Sequence, residues 1–435
     1  MRAVVSKFLC TAVNLHKAPG LVVLQIVRNR WARVVAVIAG YTELASTAAL
    51  HMSCELLAVP TSPCSSPGPP SCNIGALDFV RGVHLTCNDP RFGGISGLTN
   101  ANSSLLVAVT DRGNWFELPL RPATGTRIRV GALNGSQSVS RLDAEAITRD
   151  SSSKVWYLSL ERSSAESSVL AYAGSRPGGT YATSVALGSL EESLCGPQPP
   201  VPSRACRYRN FKFESLELLD DSRVLAICEC NGNGLIFDMA TQLETRRFVY
   251  PTLGGLQPSD VTRLRHGLGG ILVLERFDNE QGGRGRHMHI RVTYLSDSQL
   301  LHGDGGVLRP TTLLELLPGQ HEADNFEGLA AVETREGVHV FLISDDNFSP
   351  RQRTLLYEFW LPWTALDDMV RPALPEASSA RPELILEKAL FSRWRFGAAL
   401  PLLAVSIVSL LRRAISARAR TTSKGDCNRS SRELC

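Results

Sequence analysis

The stretch FESLELLDDSRVLAICEC, residues 213–230, contains two apolar runs separated by a polar turn. Glu214 stands before the first run, and Glu229 stands after the second. The Asp-Asp-Ser sequence at 220–222 between the runs is typical of a turn. In an antiparallel hairpin the start of one strand lies beside the end of the next. The stretch therefore predicts a β-hairpin with both carboxylates at one edge of a sheet.

The same pattern recurs in five segments between residues 92 and 361. Each has a short motif, an apolar run, a turn, a second apolar run that ends near an acid, and a third strand-like run. The first two runs read FGGISGL…LLVAVTDRG, LDAEAIT…VWYLSLERS, FESLELL…VLAICECNG, PSDVTRL…GILVLERFD and NFEGLAAV…VFLISDDNF.

Aligning the segments gives two columns, of which nine of the ten positions are acidic. The first column holds Ser96, Glu145, Glu214, Asp260 and Glu327. The second holds Asp111, Glu161, Glu229, Glu275 and Asp345. The separations within the pairs, 15 to 18 residues, suit two strands of about five residues with a short turn.

Repeated hairpin units of this kind predict an all-β fold, a β-propeller whose blades are four-stranded sheets around a channel. Five blades are visible in the sequence. The acids of all blades would meet at one mouth of the channel.

These motifs closely resemble those of the phytase-like family of β-propellers, known as "esterase-like activity of phytase". Members carry a GGxSGL block, a D-x-E block, an FEG-like block and a closing NFEG…SDDNFS pair. Here the blocks are Gly93–Leu98, Asp143–Ile147, Phe213–Leu216, Asn325–Gly328 and Ser344–Ser349. Ala146 and Ser215 stand where members usually have Gly. The resemblance implies calcium, phytase- or esterase-like hydrolysis and, by likeness to calcium phytases, six blades.

The acid columns are candidate Ca²⁺ ligands, because Ca²⁺ takes six to eight oxygen ligands and would compensate the repulsion between clustered carboxylates. The candidates are Asp111, Glu145, Glu161, Glu214, Glu229, Asp260, Glu275, Glu327 and Asp345. A bound cation can activate a water nucleophile. Three arginines follow second-column acids and are candidate substrate clamps, since Arg binds oxyanions bidentately: Arg112, Arg162 and Arg276.

A structural reading of the same residues stays open. A buried acid in a propeller can accept hydrogen bonds from backbone amides of neighbouring blades, and an adjacent Arg can simply neutralise it. No residue has a pattern that identifies it as catalytic, and the GxSxG motif of serine hydrolases does not occur in the sequence.

Both ends of the chain carry targeting patterns. Residues 1–60 are interpreted as a leader with a signal peptide, followed by a Pro/Ser/Cys-rich linker at 61–74. The propeller is predicted over 75–370 and a second linker over 371–388. A transmembrane helix is predicted over 389–413, where 396–411 lack any charge, and a basic cytoplasmic tail over 414–435.

These patterns predict a single-pass membrane protein whose propeller is lumenal or extracellular. Cys195 and Cys206 bracket a Pro-rich loop and could form a disulfide, and sequons at Asn102 and Asn134 fit a glycoprotein. The net charge of +4, with the basic excess at the two ends, argues against nucleic acid as a partner.

The sequence thus favours a hydrolase that acts on a small-molecule phosphoester or ester at a calcium-lined channel. Two alternatives remain: a non-catalytic binding module with structural carboxylates, and a lactonase-like calcium propeller.

Overall fold

The computed structural model of the chain describes residues 53–64, 73–133, 143–160, 169–178, 180–185, 193–196, 213–241, 243–267, 269–277, 288–302 and 308–370. The predicted signal peptide, the linker 371–388, the predicted spanning helix and the tail lie outside these residues. No helix in the described ranges is both long and apolar enough to cross a membrane.

The described residues form 22 strands, so the prediction of an all-β fold is confirmed. The first strands are β1 (Ser53–Thr61), β2 (Asn73–Ile74) and β3 (Leu77–Cys87). The others form antiparallel units, here called blades. Blade one contains β4 (Ile95–Asn102), β5 (Leu105–Thr110), β6 (Asn114–Pro119) and β7 (Arg127–Ala132). Blade two contains β8 (Ala144–Asp150), β9 (Val155–Leu160), β10 (Val169–Ala173) and β11 (Thr180–Val185).

Blade three contains β12 (Phe213–Leu218), β13 (Arg223–Cys228), β14 (Asn233–Asp238) and β15 (Leu243–Val249). Blade four contains β16 (Gln257–Leu264), β17 (Gly270–Phe277), β18 (His289–Leu295) and β19 (Thr311–Leu316), with helix α1 (Asp297–His302) between the last two. Blade five contains β20 (Asn325–Glu333), β21 (Gly337–Asp345) and β22 (Thr354–Pro362), and its fourth strand is β3. Helix α2 (Trp363–Val370) follows β22.

Blade five combines strands from both ends of the described chain. β22 pairs antiparallel with β3, and Tyr357 lies opposite Gly82. β1 pairs with β3 on one side and with β7 of blade one on the other, so blades five and one form one continuous sheet. The assignment of residues up to 60 to a leader is therefore wrong for β1, because this strand is paired along the sheet and buries Cys54 and Leu56.

The innermost strands of the blades form a closed cycle. β4 contacts β8, β8 contacts β12, β12 contacts β16, β16 contacts β20, and β20 contacts β4. This is the arrangement of a β-propeller. The expectation of six blades is not met in the part of the chain that the structure describes, because β20 packs directly against β4. Asn100 in β4 donates a hydrogen bond to the carbonyl of Ala331 in β20, which leaves no space for a sixth blade.

The core consists of apolar layers between adjacent blades. Leu98 of blade one packs in a layer with Phe341 and Ile343 of blade five. Ala146 of blade two packs in a layer with Leu216 of blade three. Burying a large apolar side chain contributes about 1.5–3 kcal/mol each, so these layers hold the inner strands and their polar ends in place.

Two disulfides connect described residues. Cys54 in β1 is bonded to Cys87 in β3. Cys195 is bonded to Cys228 at the end of β13, so the predicted bond between Cys195 and Cys206 is wrong. The Cys195–Cys228 bond anchors the chain immediately before Glu229.

Candidate functional site

Every inner strand contains an irregularity at its start. The pairing register shifts between Ile95 and Gly97 in blade one, and the corresponding shifts lie at Ala144/Ile147, Phe213/Ser215, Pro258/Asp260 and Phe326/Gly328. A β-bulge leaves an extra residue out of the ladder and turns its side chain. The extra residues include Ser96, Glu145, Glu214, Ser259 and Glu327.

Blade four shows that the sequence alignment was wrong by one residue there. Ser259, and not Asp260, occupies the position equivalent to Glu214 and Glu327. Its second strand is displaced as well. Glu275 pairs with Pro258, as Cys228 pairs with Phe213, so the residue equivalent to Glu229 is Arg276.

Asp260 and Glu275 are accordingly not part of the acidic mouth. Asp260 is fully buried on the inner strand, where its carboxylate accepts hydrogen bonds from the backbone N–H groups of Leu329 (2.7 Å) and Val261 (2.8 Å). Glu275 is fully buried within its own blade, and its carboxylate accepts from the Tyr250 hydroxyl and the Arg291 guanidinium. Both acids therefore stabilise the fold through buried hydrogen bonds, which is the structural alternative that the sequence analysis left open.

Three carboxylates come together at the mouth between blades one and two. Oxygen atoms of Asp111, Asp143 and Glu145 all lie within 4.8 Å of one another. Asp111 follows β5, Asp143 precedes β8, and Glu145 lies at the bulge of β8. Sequence reasoning did not include Asp143 among the ligands, although the D-x-E block that contains it was a visible signal.

The pKa values of the mouth acids reflect this crowding. Burial, followed by the negative charge of Asp143, raises the pKa of Asp111 to about 6. Burial raises the pKa of Asp345, and the charges of Glu327 and Asp111 raise it further. Burial also raises the pKa of Glu327, although the Arg276 guanidinium opposes the shift. The folded protein therefore holds these carboxylates in surroundings that penalise their charge.

Arg276 neutralises the opposite side of the mouth, between blades three, four and five. Its guanidinium donates to Asn325 Oδ1 at 2.5 Å and to Glu229 Oε1 at 3.2 Å, and it also forms an ion pair with Glu327. The charges of Glu214 and Asp345 act on it as well. Arg276 therefore forms ion pairs with acids of the mouth. Such internal ion pairing was the alternative to its predicted role as a substrate clamp.

Arg112 differs from Arg276 because it is exposed. The central carbon of its guanidinium lies 3.4 Å from the centroid of the Phe348 ring, and the residue directly follows Asp111. Glu161 and Arg162, the remaining predicted site residues, lie outside the described residues.

The donor set at Asp111, Asp143 and Glu145 fits a hard divalent cation. Carboxylate oxygens are the ligands that Ca²⁺ prefers, and three carboxylates supply several of the six to eight that it takes. The charge of Arg276 opposes the rise in the pKa of Asp111, but burial and the charge of Asp143 outweigh it. A cation bound at this position would offset the free-energy cost of holding these charged carboxylates close together.

A family model described as "Phytase-like: Esterase-like activity of phytase" matches residues 90–348, more than half of the chain. The chain belongs to the phytase-like family. The match spans the five hairpins and the mouth acids of this phytase-like domain. A comparison with curated proteins finds no match.

Solved structures similar to the phytase-like chain have low sequence identity. They include hydrazine synthase of Kuenenia stuttgartiensis (12% identity, TM-score 0.28, covering 59% of this chain and 58% of that chain). They also include the Malassezia sympodialis allergen Mala s 1 (8%, 0.36, 70% and 96%) and the Bacteroides ovatus protein GH43B of a xyloglucan PUL (14%, 0.38, 62% and 53%). The chain thus spans little more than half of the first and third of these proteins.

Proposed function

We propose that the phytase-like domain is a calcium-dependent hydrolase of a small-molecule ester, either a phosphoester or a carboxylic ester. The observation that carries the proposal is the cluster of Asp111, Asp143 and Glu145, whose oxygens lie within 4.8 Å of one another. Asp111, Asp143 and Glu145 would hold Ca²⁺. When bound, the ion supplies a positive charge that polarises the ester and favours ionisation of a water molecule.

The residues around the cluster have separate tasks in this proposal. Arg276 donates a hydrogen bond to Glu229 and forms an ion pair with Glu327, and it thereby holds both side chains in place in the second half of the mouth. Arg112 is exposed beside Asp111 and binds an oxyanion of the substrate, because a guanidinium can donate two parallel hydrogen bonds to such a group. Asp260 and Glu275 support the fold and do not take part.

The test is an activity panel with the purified full-length protein. Phosphomonoesters, carboxylic esters and lactones are each offered in chelator and in millimolar Ca²⁺. We expect calcium-dependent hydrolysis of a phosphomonoester or a carboxylic ester, reduced by Asp143→Asn and unchanged by Asp221→Asn. Asp221 is an exposed acid in the turn between β12 and β13, at the other end of its hairpin. Turnover of lactones alone would favour the lactonase-like alternative, and turnover of none would favour a binding module.

We also propose that the phytase-like domain lies in the lumen of the secretory pathway or outside the cell, anchored by the helix predicted at 389–413. Two observations support this location. Disulfides such as Cys54–Cys87 and Cys195–Cys228 persist in oxidising compartments. Asn102 of the first sequon lies exposed beside the β4–β5 turn. Treatment of the cellular protein with an N-glycosidase should lower its apparent mass, and an unchanged mass would count against this location.

A further inference from the structure

The loop that follows β21 connects blade five to the start of blade one. Asp346 Oδ1 accepts hydrogen bonds from the backbone N–H groups of Gly94 and Phe348, both at 2.9 Å. Asn347 and Phe348 have φ angles of 48° and 49°, a conformation that is uncommon outside glycine and especially for a bulky residue. The loop thus holds the Phe348 ring against blade one in a defined position.

Two glycines of blade one make room for this loop. Gly93 and Gly94 have φ angles of 118° and 59°, which L side chains rarely adopt. A β-carbon at Gly93 would overlap the Asp346 carboxylate, and one at Gly94 would overlap the Phe348 ring. The block at Gly93–Leu98 and the block at Ser344–Ser349 therefore contact each other.

Arg112 lies on the Phe348 ring at the edge of this contact. The separation of 3.4 Å between the guanidinium carbon and the ring centroid is that of a close cation–π stack. Among the described residues no carboxylate forms an ion pair with Arg112, whereas Arg276 is bound to Glu229 and Glu327. The five N–H donors of a guanidinium lie in its own plane. A ring that covers one face of the guanidinium therefore leaves these donors able to bind a planar or tetrahedral oxyanion.

We infer that Phe348 is a positioning residue that fixes the guanidinium of Arg112, the residue after Asp111, as an oxyanion-binding group. The ligand class is a phosphate or carboxylate group, which in the proposed function also contacts the cation. The inference deepens the proposed function, and the part of it that concerns the cation rests on that function. The stacking of Arg112 on Phe348 does not depend on a bound metal.

The test measures anion binding at Arg112 directly. The purified full-length protein is treated with phenylglyoxal, which modifies arginine side chains, and the modification of Arg112 is followed by peptide mass spectrometry. Inorganic phosphate or acetate is titrated in, both in millimolar Ca²⁺ and in chelator. We expect at least one of the two anions to slow the modification of Arg112, and the effective anion identifies the ligand as phosphate or carboxylate. Modification of the exposed Arg127 serves as an internal control and should not change.

Phe348→Leu removes the ring and keeps an apolar side chain. We expect it to raise the anion concentration for half-protection about two- to fivefold, the equivalent of a cation–π contact of about 0.5–1 kcal/mol. Phe348→Tyr keeps the ring and should behave like the wild type. The calcium-induced change in melting temperature should be the same in all three proteins, which separates positioning of Arg112 from a general effect on folding.

Two results would overturn the inference: no protection of Arg112 by either anion in either buffer, or equal protection in wild type and Phe348→Leu. Failure of the proposed function is recognised separately. If calcium changes neither the melting temperature nor the hydrolysis of any ester, the cation site is wrong, while protection of Arg112 in chelator still supports its role as an anion-binding residue.

Discussion

The carboxylate of Asp260 connects inner strands of three blades. Besides Leu329 of blade five and Val261 of its own strand, it faces the backbone N–H of Leu98 in blade one at 3.4 Å. Burial raises the pKa of Asp260 well above its usual value, and the backbone hydrogen bonds oppose this shift. Its contribution is therefore to satisfy buried amides where the inner strands approach each other.

We expect Asp260→Ala to lower the free energy of unfolding by about 1–3 kcal/mol, because buried N–H groups lose their acceptor. The loss should be the same in chelator and in millimolar Ca²⁺. Chemical denaturation of wild type and variant in both buffers measures it. A loss that appears only in calcium would mean that Asp260 binds the metal after all.

At the scale of the strands, hairpin spacing identified the correct edge of the sheet but could not locate the bulges. A bulge adds one residue to one strand, and this shifts every later residue relative to its partner. In blade four, acids happened to stand one position away from the true columns, at Asp260 and Glu275. The column residues there, Ser259 and Arg276, became visible only from the strand register.

Strand pairing between distant parts of the chain could not be predicted from the sequence either. β1 and β3 precede the first repeated segment, and they join blades five and one through β22 and β7. Local pattern shows which residues form a strand, but it does not show the partner of an isolated strand. The closing strand of blade five therefore could not be assigned, although the five inner hairpins were.

Arg276 is the residue of blade four that forms ion pairs with the acids of the mouth. Arg276→Met should lower the free energy of unfolding by about 3–5 kcal/mol at pH 8, because Glu229 and Glu327 lose a buried partner. Burial already raises the pKa of Glu327, so this acid accepts a proton as the pH falls. The difference between variant and wild type should thus be smaller at pH 5.

Thermal and chemical unfolding at both pH values, in chelator, check this expectation. Arg276→Lys is the matched control, since it keeps the charge but loses the planar fork, and its stability should lie between those of wild type and Arg276→Met. A deficit for Arg276→Met that is equal at pH 5 and pH 8 would show that Arg276 acts through packing and not through its charge.

At the scale of the whole molecule, the ring gathers buried carboxylates of several blades at its mouth. The pKa values of Asp111, Glu327 and Asp345 are raised in the folded state, so the folded protein binds more protons than the unfolded chain between about pH 4 and pH 9. Their contribution to stability therefore decreases as the pH rises through this range. A bound cation would offset that decrease and couple the closed ring to calcium.

The most direct measurement is thermal and chemical unfolding of the full-length protein at pH 8, in chelator and across a calcium titration. We predict that calcium raises the free energy of unfolding as RT ln(1 + [Ca²⁺]/Kd), about 2.7 kcal/mol at one hundred times Kd. Asp143→Asn should reduce this increment and leave the metal-free protein at least as stable as wild type, while Asp221→Asn should retain it. If calcium leaves the stability of the wild type unchanged, Asp111, Asp143 and Glu145 do not form a calcium site.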